Sequence, residues 1–287
     1  MTPAVYRQPA RDRAIYKEHV ENPEKSRRDL IEVAHDTDLV LIFMKKTMKF
    51  MAMLLCAAMV FGLASCSRDE NCTSCNETSG EWIDLGLPSG TLWYSVNLGA
   101  SSPEEYGCYV AWGETAAKES YSNSNYSYYE HDGSGNLVNI TKYNFRDWDG
   151  AIYGTADNKK KLEASDDAAS VILGGGAHMP TYDEGLEMLE NTTKEWVTQN
   201  GVNGMRFTAP NGRSIFLPAA GMMFGGDLQD EGKAGYYWTS ELKRLKDPFH
   251  ICFDSQSINT NINCMGALPV SRTYGRPVRA VKSPAKK

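Results

Sequence analysis

The stretch Arg206-Phe207-Thr208-Ala209-Pro210-Asn211-Gly212-Arg213-Ser214-Ile215-Phe216-Leu217 decides the fold class. Two runs of aromatic, β-branched and aliphatic residues flank Pro-Asn-Gly, and Asn-Gly supplies the positive φ angles of a tight turn, so the stretch predicts a β-hairpin. The same short-strand pattern extends in both directions. Upstream, Glu81-Trp82-Ile83-Asp84-Leu85 alternates, Gly86-Leu87-Pro88-Ser89-Gly90 is a turn, and residues 91–96 and 108–112 read as strands. Downstream, Tyr236-Tyr237-Trp238 and Val278-Arg279-Ala280-Val281 read as late strands. Helices are few. Ser101-Ser102-Pro103-Glu104-Glu105 places Pro and acids in a first helical turn. Asp166-Asp167 fits a helix N-terminus, and Thr181-Tyr182-Asp183-Glu184 fits a capping box ahead of Leu186 and Leu189. Two or three short helices among many short strands argue for an α+β fold.

Composition narrows the function class. The chain has 287 residues, 41% hydrophobic and 23% charged, which is ordinary globular usage. Its 30 basic and 36 acidic residues leave a net charge of −6, so the basic footprint of a nucleic-acid binder is missing and no nucleic-acid partner is expected.

Lys45-Lys46-Thr47-Met48-Lys49 precedes an apolar run from Phe50 to Ala64 and then Ser65-Cys66. A basic n-region, an apolar h-region and a small-residue cleavage site make a secretory signal. Leu63-Ala64-Ser65-Cys66 resembles a bacterial lipobox, which implies cleavage before Cys66 and a diacylglycerol on its sulfur. The competing reading is a single transmembrane helix, but the uncharged stretch is at the short end of the spanning range. Residues 1–43 are then an upstream segment, because Met44 opens a conventional signal of 44–65. Residues 66–80 are polar and small and read as the lipidated cysteine with a flexible tether. Arg68-Asp69-Glu70 resembles the acidic signal that sends lipoproteins to the cell surface; a solvated linker would look the same. The expected address is the outer membrane, with a bilayer as partner through Cys66. The domain proper is 81–283, followed by a tail, 284–287.

Cys252 and Cys264 lie symmetrically about Ile258 in a Ser/Asn-rich turn, so opposed register and an oxidising compartment predict a disulfide between them. Cys72 and Cys75 form half a zinc site with no second pair at ligand spacing, so no metal is expected; how Cys72, Cys75 and Cys108 pair is left open. Two long segments, 114–160 and 222–247, carry no clear element, and loops of that length are often functional.

The landmarks align in order with a family. Gly86-Leu87-Pro88-Ser89-Gly90-Thr91-Leu92-Trp93, Asn97-Leu98-Gly99-Ala100, Pro103-Glu104-Glu105-Tyr106-Gly107 and Ala111-Trp112-Gly113-Glu114-Thr115 come first. Asp166-Asp167-Ala168-Ala169, Met179-Pro180-Thr181, Leu217-Pro218-Ala219-Ala220-Gly221, Tyr236-Tyr237-Trp238-Thr239-Ser240 and Gly275-Arg276-Pro277-Val278-Arg279 follow. The whole resembles the Fibrobacter succinogenes major paralogous domain of Bacteroidetes surface lipoproteins, over about 81–282. The resemblance implies a C-type-lectin-like fold that pairs its first and last strands and carries ligands on long loops. It departs from the family's pattern at Ala177, His178 and Gly185. The calcium-dependent sugar motifs of true C-type lectins are absent, so no catalytic or calcium residue is carried over.

The candidate chemistry is therefore binding. His131, His178 and His250 sit in no nucleophile motif, and no phosphate loop or H-E-x-x-H is present, so the chain is read as no enzyme; a hydrolase using loop carboxylates is the distant alternative. Sugar sites stack aromatic faces and add a few polar groups. Tyr121, Tyr126, Tyr128 and Tyr129 in a polar loop are the candidate aromatic contacts, against the reading that they fold over the domain. Asp227, Asp230 and Glu231, with Tyr236, are the second candidate group, against the reading of a merely solvated acidic loop. Trp112 and Trp238 are expected in the core. The expected function is a non-catalytic surface domain binding a glycan or host-surface molecule, without cofactor; the alternative is a structural or assembly component of the cell surface.

Overall fold

A computed structural model describes residues 75–147, 150, 152–256 and 271–284. All of them belong to one of the two units into which the chain divides, 70–287. The fold is α+β and mostly sheet, and every strand pair in it is antiparallel.

The predicted hairpin is there. β7 (Val202–Thr208) and β8 (Ser214–Pro218) pair from Thr208↔Ser214 to Gly204↔Pro218, and β6 (Thr193–Gln199) extends them to three strands. The turn differs from the expected two-residue form. Ala209 N–H donates to Arg213 O at 2.9 Å and Gly212 N–H to Ala209 O at 2.9 Å, leaving a three-residue loop. Pro210 pre-sets the first turn position, and Gly212 alone takes positive φ, at 80°, as a type I turn with a glycine bulge demands.

A second sheet joins the two ends of the domain. β1 (Trp82–Asp84) pairs with β2 (Leu92–Tyr94), β2 with β13 (Val281–Lys282), and β13 with β5 (Ala177–His178). The last strand thus lies beside the second. Two helices flank β5. α1 (Ala168–Leu173) is capped by Asp167, whose carboxylate accepts Ser170 N–H at 2.9 Å. α2 (Tyr182–Glu190) carries the predicted Thr181/Glu184 capping box.

Several expectations are corrected. Residues 101–105 form a turn, not a helix: Glu105 folds back onto Ser101 N–H at 2.7 Å, and Glu104 reaches Gln199 and Asn200. Residues 108–112 make a single bridge, Val110↔Arg276, rather than a strand. Residues 222–247 are not a loop. β9 (Met222–Phe224) and β10 (Asp227–Gln229) form a hairpin whose two-residue turn has Gly225 at φ 59°, and β11 (Ala234–Leu242) pairs with β12 (Pro248–Asp254). Within 114–160, β3 (Tyr129–His131) and β4 (Leu137–Ile140) form another hairpin. Residues 75–80, read as flexible tether, are bound down. Cys75 is disulfide-bonded to Cys108, Ser79 N–H donates to Ala100 O at 3.0 Å, and Gly80 N–H donates to Tyr94 Oη at 2.9 Å.

The core has two parts. One gathers Trp112, Trp238, Tyr143, Tyr126 and the disulfide; the other gathers Trp93, Phe207, Tyr237, Phe253 and Val281. Trp112 and Trp238 are buried as expected, and each indole N–H reaches a backbone carbonyl at 2.8 Å, Thr239 O and Val110 O respectively. Among the described residues, no helix is long and apolar enough to cross a membrane; the apolar run of 50–64 lies outside them, as do Cys66 and Cys264. Cys252 is buried on β12 and is disulfide-bonded.

Candidate functional site

Three of the four clustered tyrosines fold into the domain rather than facing solvent. Tyr121, Tyr126 and Tyr129 are buried. Their neighbours explain it. The Tyr121 hydroxyl donates to Tyr109 O at 2.6 Å and that of Tyr126 to Trp112 O at 2.6 Å, while the Tyr126 and Tyr129 rings meet edge to face at 4.8 Å. The hydroxyls of Tyr121 and Tyr126 thus find backbone acceptors inside, so those rings are free to pack, while the Tyr129 hydroxyl is buried without a hydrogen-bond partner. Burial pushes all three phenols up.

Tyr128 is half-buried and lines a cleft of about 310 Å³ with Glu114, Lys118, Ser165 and Asp166. Its two carboxylates are already engaged. Glu114 accepts Ser127 N–H and Oγ–H and pairs with Lys118 at 2.7 Å; Asp166 takes Lys142 and Tyr143. Burial would raise Asp166, but those bonds hold it below the usual carboxylate range. A second cleft, of about 450 Å³, holds His178, Glu184 and Asp167. There His178 Nε2 contacts Glu184 at 3.0 Å, and Asp167 is committed to the N–H groups of Ser170 and Met179. His250 is buried against Trp238, and burial pushes it well below its ordinary pKa.

The second candidate group is split. Asp230 and Tyr236 come together, the phenol donating to Oδ2 at 3.0 Å, and burial with Asp230 pushes Tyr236 up to about 12. Asp227 and Glu231 are exposed. Among the described residues, no group of three or more His, Cys, Asp or Glu side chains could hold a metal ion.

What the two long segments do form is a cleft of about 660 Å³ lined by Ser122, Asn123, Ser124, His131, Gly135, Phe224, Ser271, Thr273 and Tyr274. Backbone pairing builds it. Tyr121 and Gly225 exchange N–H···O bonds of 2.8 and 2.9 Å, and Met223 and Gly275 exchange bonds of 2.7 and 3.0 Å. These two bridges place the β9–β10 turn beside residues 122–125 and 271–275. Phe224 stands out at 53% exposure, and its ring meets Tyr274 edge to face at 5.2 Å. Asp227 is its direct cross-strand partner. The polar walls are pre-arranged: Thr273 Oγ1 donates to Asn123 Oδ1 at 3.1 Å, the Ser271 and Thr273 hydroxyls are 2.9 Å apart, and the Ser122 and Ser124 hydroxyls are also 2.9 Å apart. A rigid aromatic edge beside fixed hydroxyl and amide groups is chemistry suited to a polyhydroxylated ligand.

None of the binding candidates singled out from the sequence lines this cleft: Asp227 is only the cross-strand neighbour of Phe224, and His131, named only for lacking a nucleophile motif, is part of the wall. Phe224, Tyr274, Asn123 and Thr273 were missed. The available signal was an aromatic placed immediately before Gly225-Gly226, where a hairpin tip holds side chains outward. Comparison with known protein families, with curated proteins and with solved structures finds no match.

Proposed function

We propose that the domain binds a glycan, free or on a host surface, at the Phe224–Tyr274 cleft, without catalysis. The observation that carries this reading is Phe224. An exposed phenylalanine forgoes about 1.5–3 kcal/mol of burial, and single exposed apolar residues need no explanation. Phe224 is different in that it leans on a second ring and lines a cleft to which Ser, Thr and Asn side chains and His131 also contribute. Sugars offer apolar C–H faces to rings and hydroxyls to amides, and this cleft presents both partners.

The fold we assign is C-type-lectin-like, of the Fibrobacter succinogenes major paralogous domain type. The pairing of β13 with β2, which brings the ends of the domain together, and ligand-side segments of irregular course support that assignment. The chain is read as a lipoprotein of the outer membrane, anchored through Cys66 and displayed at the surface. The lipobox supports it, and Cys66→Ala abolishes palmitate labelling if it is right; label retained on the variant contradicts it.

The functional test is a glycan array with the exported protein and with Phe224→Ala. Because Phe224 is exposed, the variant folds with stability within about 0.5 kcal/mol of wild type. Signals present for wild type and lost in the variant support the reading. A blank array with a co-purifying protein partner replaces it with a structural role at the cell surface.

A further inference from the structure

A fourth cleft, of about 590 Å³, is lined by Phe145, Arg146, Asp147, Lys160, Lys243 and Arg244. Four of these six side chains are cationic in a chain whose net charge is −6. Three separate pieces of backbone bring them together. Residues 145–147 follow the positive-φ residue Tyr143. Lys160 is held by Leu242 N–H on its carbonyl at 2.8 Å and by the neighbouring Lys161↔Glu241 bridge. Lys243 and Arg244 sit on the β11–β12 turn, closed by Lys243 N–H and Arg244 N–H on Asp247 O at 3.0 and 3.1 Å, and by Asp247 N–H on Arg244 O at 3.1 Å.

Two carboxylates are near. Asp147 Oδ2 accepts Leu245 N–H at 3.2 Å and so supports the turn. Asp247 is half-buried, and burial raises it above the usual carboxylate range against the pull of Arg244. Among the described residues, four cations thus gather with these two acids. Like charges held close repel, and an arriving oxyanion relieves that repulsion while gaining charge-assisted hydrogen bonds. Lys243 registers the crowding: burial first and Arg244 second hold it below its ordinary pKa, against the attraction of Asp247.

The buried Arg272 ties the turn that carries Lys243 and Arg244 to the segment that lines the aromatic cleft. Arg272 N–H donates to Lys246 O at 3.0 Å, and its guanidinium reaches Leu245 O, both on the 243–247 turn. Thr273 and Tyr274, which line the aromatic cleft, follow Arg272 immediately in the chain. We propose that the basic cleft is an anion subsite and that the glycan bound at Phe224 and Tyr274 is an acidic polysaccharide, whose sulfate or carboxylate groups lie against Arg146, Lys160, Lys243 and Arg244. The inference rests on the glycan reading above and names its ligand class.

The test titrates the exported full-length protein with heparin fragments, polygalacturonate and neutral dextran, in wild type, in Lys243→Gln/Arg244→Gln, in Lys160→Gln and in Phe224→Ala. Melting curves show that each variant is folded, and Lys160→Gln serves where the turn variant is not. At least one polyanion is expected to bind about tenfold or more tighter than dextran at low salt, with the advantage shrinking as salt rises. The turn variant and Lys160→Gln are expected to lose most of that advantage while keeping dextran affinity, and Phe224→Ala to weaken every ligand. Equal binding of all three polysaccharides, or an advantage untouched in the cation variants, overturns the subsite and leaves the glycan reading standing. Binding of none of them overturns both. Binding to phosphatidylglycerol vesicles but to neither polyanion also overturns the proposal, since the cations then meet a membrane.

Discussion

Arg279 donates from Nε to Asn97 Oδ1 at 3.0 Å, joining residues 182 positions apart. The rest of that guanidinium is also satisfied, by Tyr94 O, Ser95 O and Phe216 O. Asn97 in turn donates to Tyr106 O at 2.9 Å and to the Tyr237 hydroxyl at 3.3 Å. A single buried cation thus ties the β2 end and β8 to the segment leading into β13, and burial lowers it only to about 10, so it stays charged at neutral pH.

Arg279→Met is therefore expected to cost about 3–5 kcal/mol, because it orphans several buried acceptors at once. Arg279→Lys does not rescue it, since one ammonium cannot reproduce a planar fork. Asn97→Ala is expected to cost about 1–3 kcal/mol, and the double variant less than the sum. Urea denaturation measures all of them. Additive effects would show that the two residues act independently.

His178 and Glu184 give the domain a pH signature. The bond from Glu184 raises His178 above 6.5. Burial would raise Glu184, but the bonds from His178 and Thr181 outweigh it and hold Glu184 below 4.5. His178 thus contributes stability that is complete below pH 6.5 and is lost as pH rises through its higher folded value. Glu184 contributes stability present above pH 4.5 and lost as pH falls through its lower folded value. The pair is strongest between those limits. Denaturation midpoints at about pH 5.5, 7 and 8.5 are expected to decline in wild type, and His178→Gln is expected to lose that part of the slope. An unchanged slope in His178→Gln would remove this pair as its cause.

The clear hairpin, the α2 capping box and the Asp167 cap were legible because each rests on residues a few positions apart. The Ser101–Glu105 turn was not, since Glu105 chose a backbone N–H four residues back, a local competition that composition does not reveal. The tyrosine cluster misled for a different reason. Its polar, Ser- and Asn-rich setting spoke for solvent, but the acceptors that let the rings bury lie on Tyr109 and Trp112, in another segment. Phe224 was hidden in the same way, since its exposure depends on bridges to Tyr121 and Gly275, which are non-local pairings.

A disulfide between Cys252 and Cys264 is expected beside the Cys75–Cys108 bridge. Non-reducing peptide mapping of exported protein should recover both linked pairs. Cys252 linked to Cys72 would refute the pairing.

Calcium is expected to leave stability unchanged. Asp227 and Glu231 are exposed, and one oxygen of Asp230 already takes the Tyr236 hydroxyl, which leaves too few ligands for a cation that wants six to eight. Melting temperatures in millimolar calcium and in EDTA should coincide. A rise of several degrees with calcium, lost in Asp227→Ala or Asp230→Ala, would restore a metal site.

Ligand is expected to meet the domain at Phe224 and Tyr274. Hydroxyl-radical footprinting reads this directly, because aromatic side chains are oxidised in proportion to their exposure. With the exported protein saturated by a glycan identified on the array, oxidation of Phe224 and Tyr274 should fall several-fold while that of the buried Tyr121 and Tyr126 stays at its low level. Unchanged oxidation of Phe224, with protection appearing instead around Tyr128 or His178, would place the ligand elsewhere on the domain and rule out the Phe224–Tyr274 cleft.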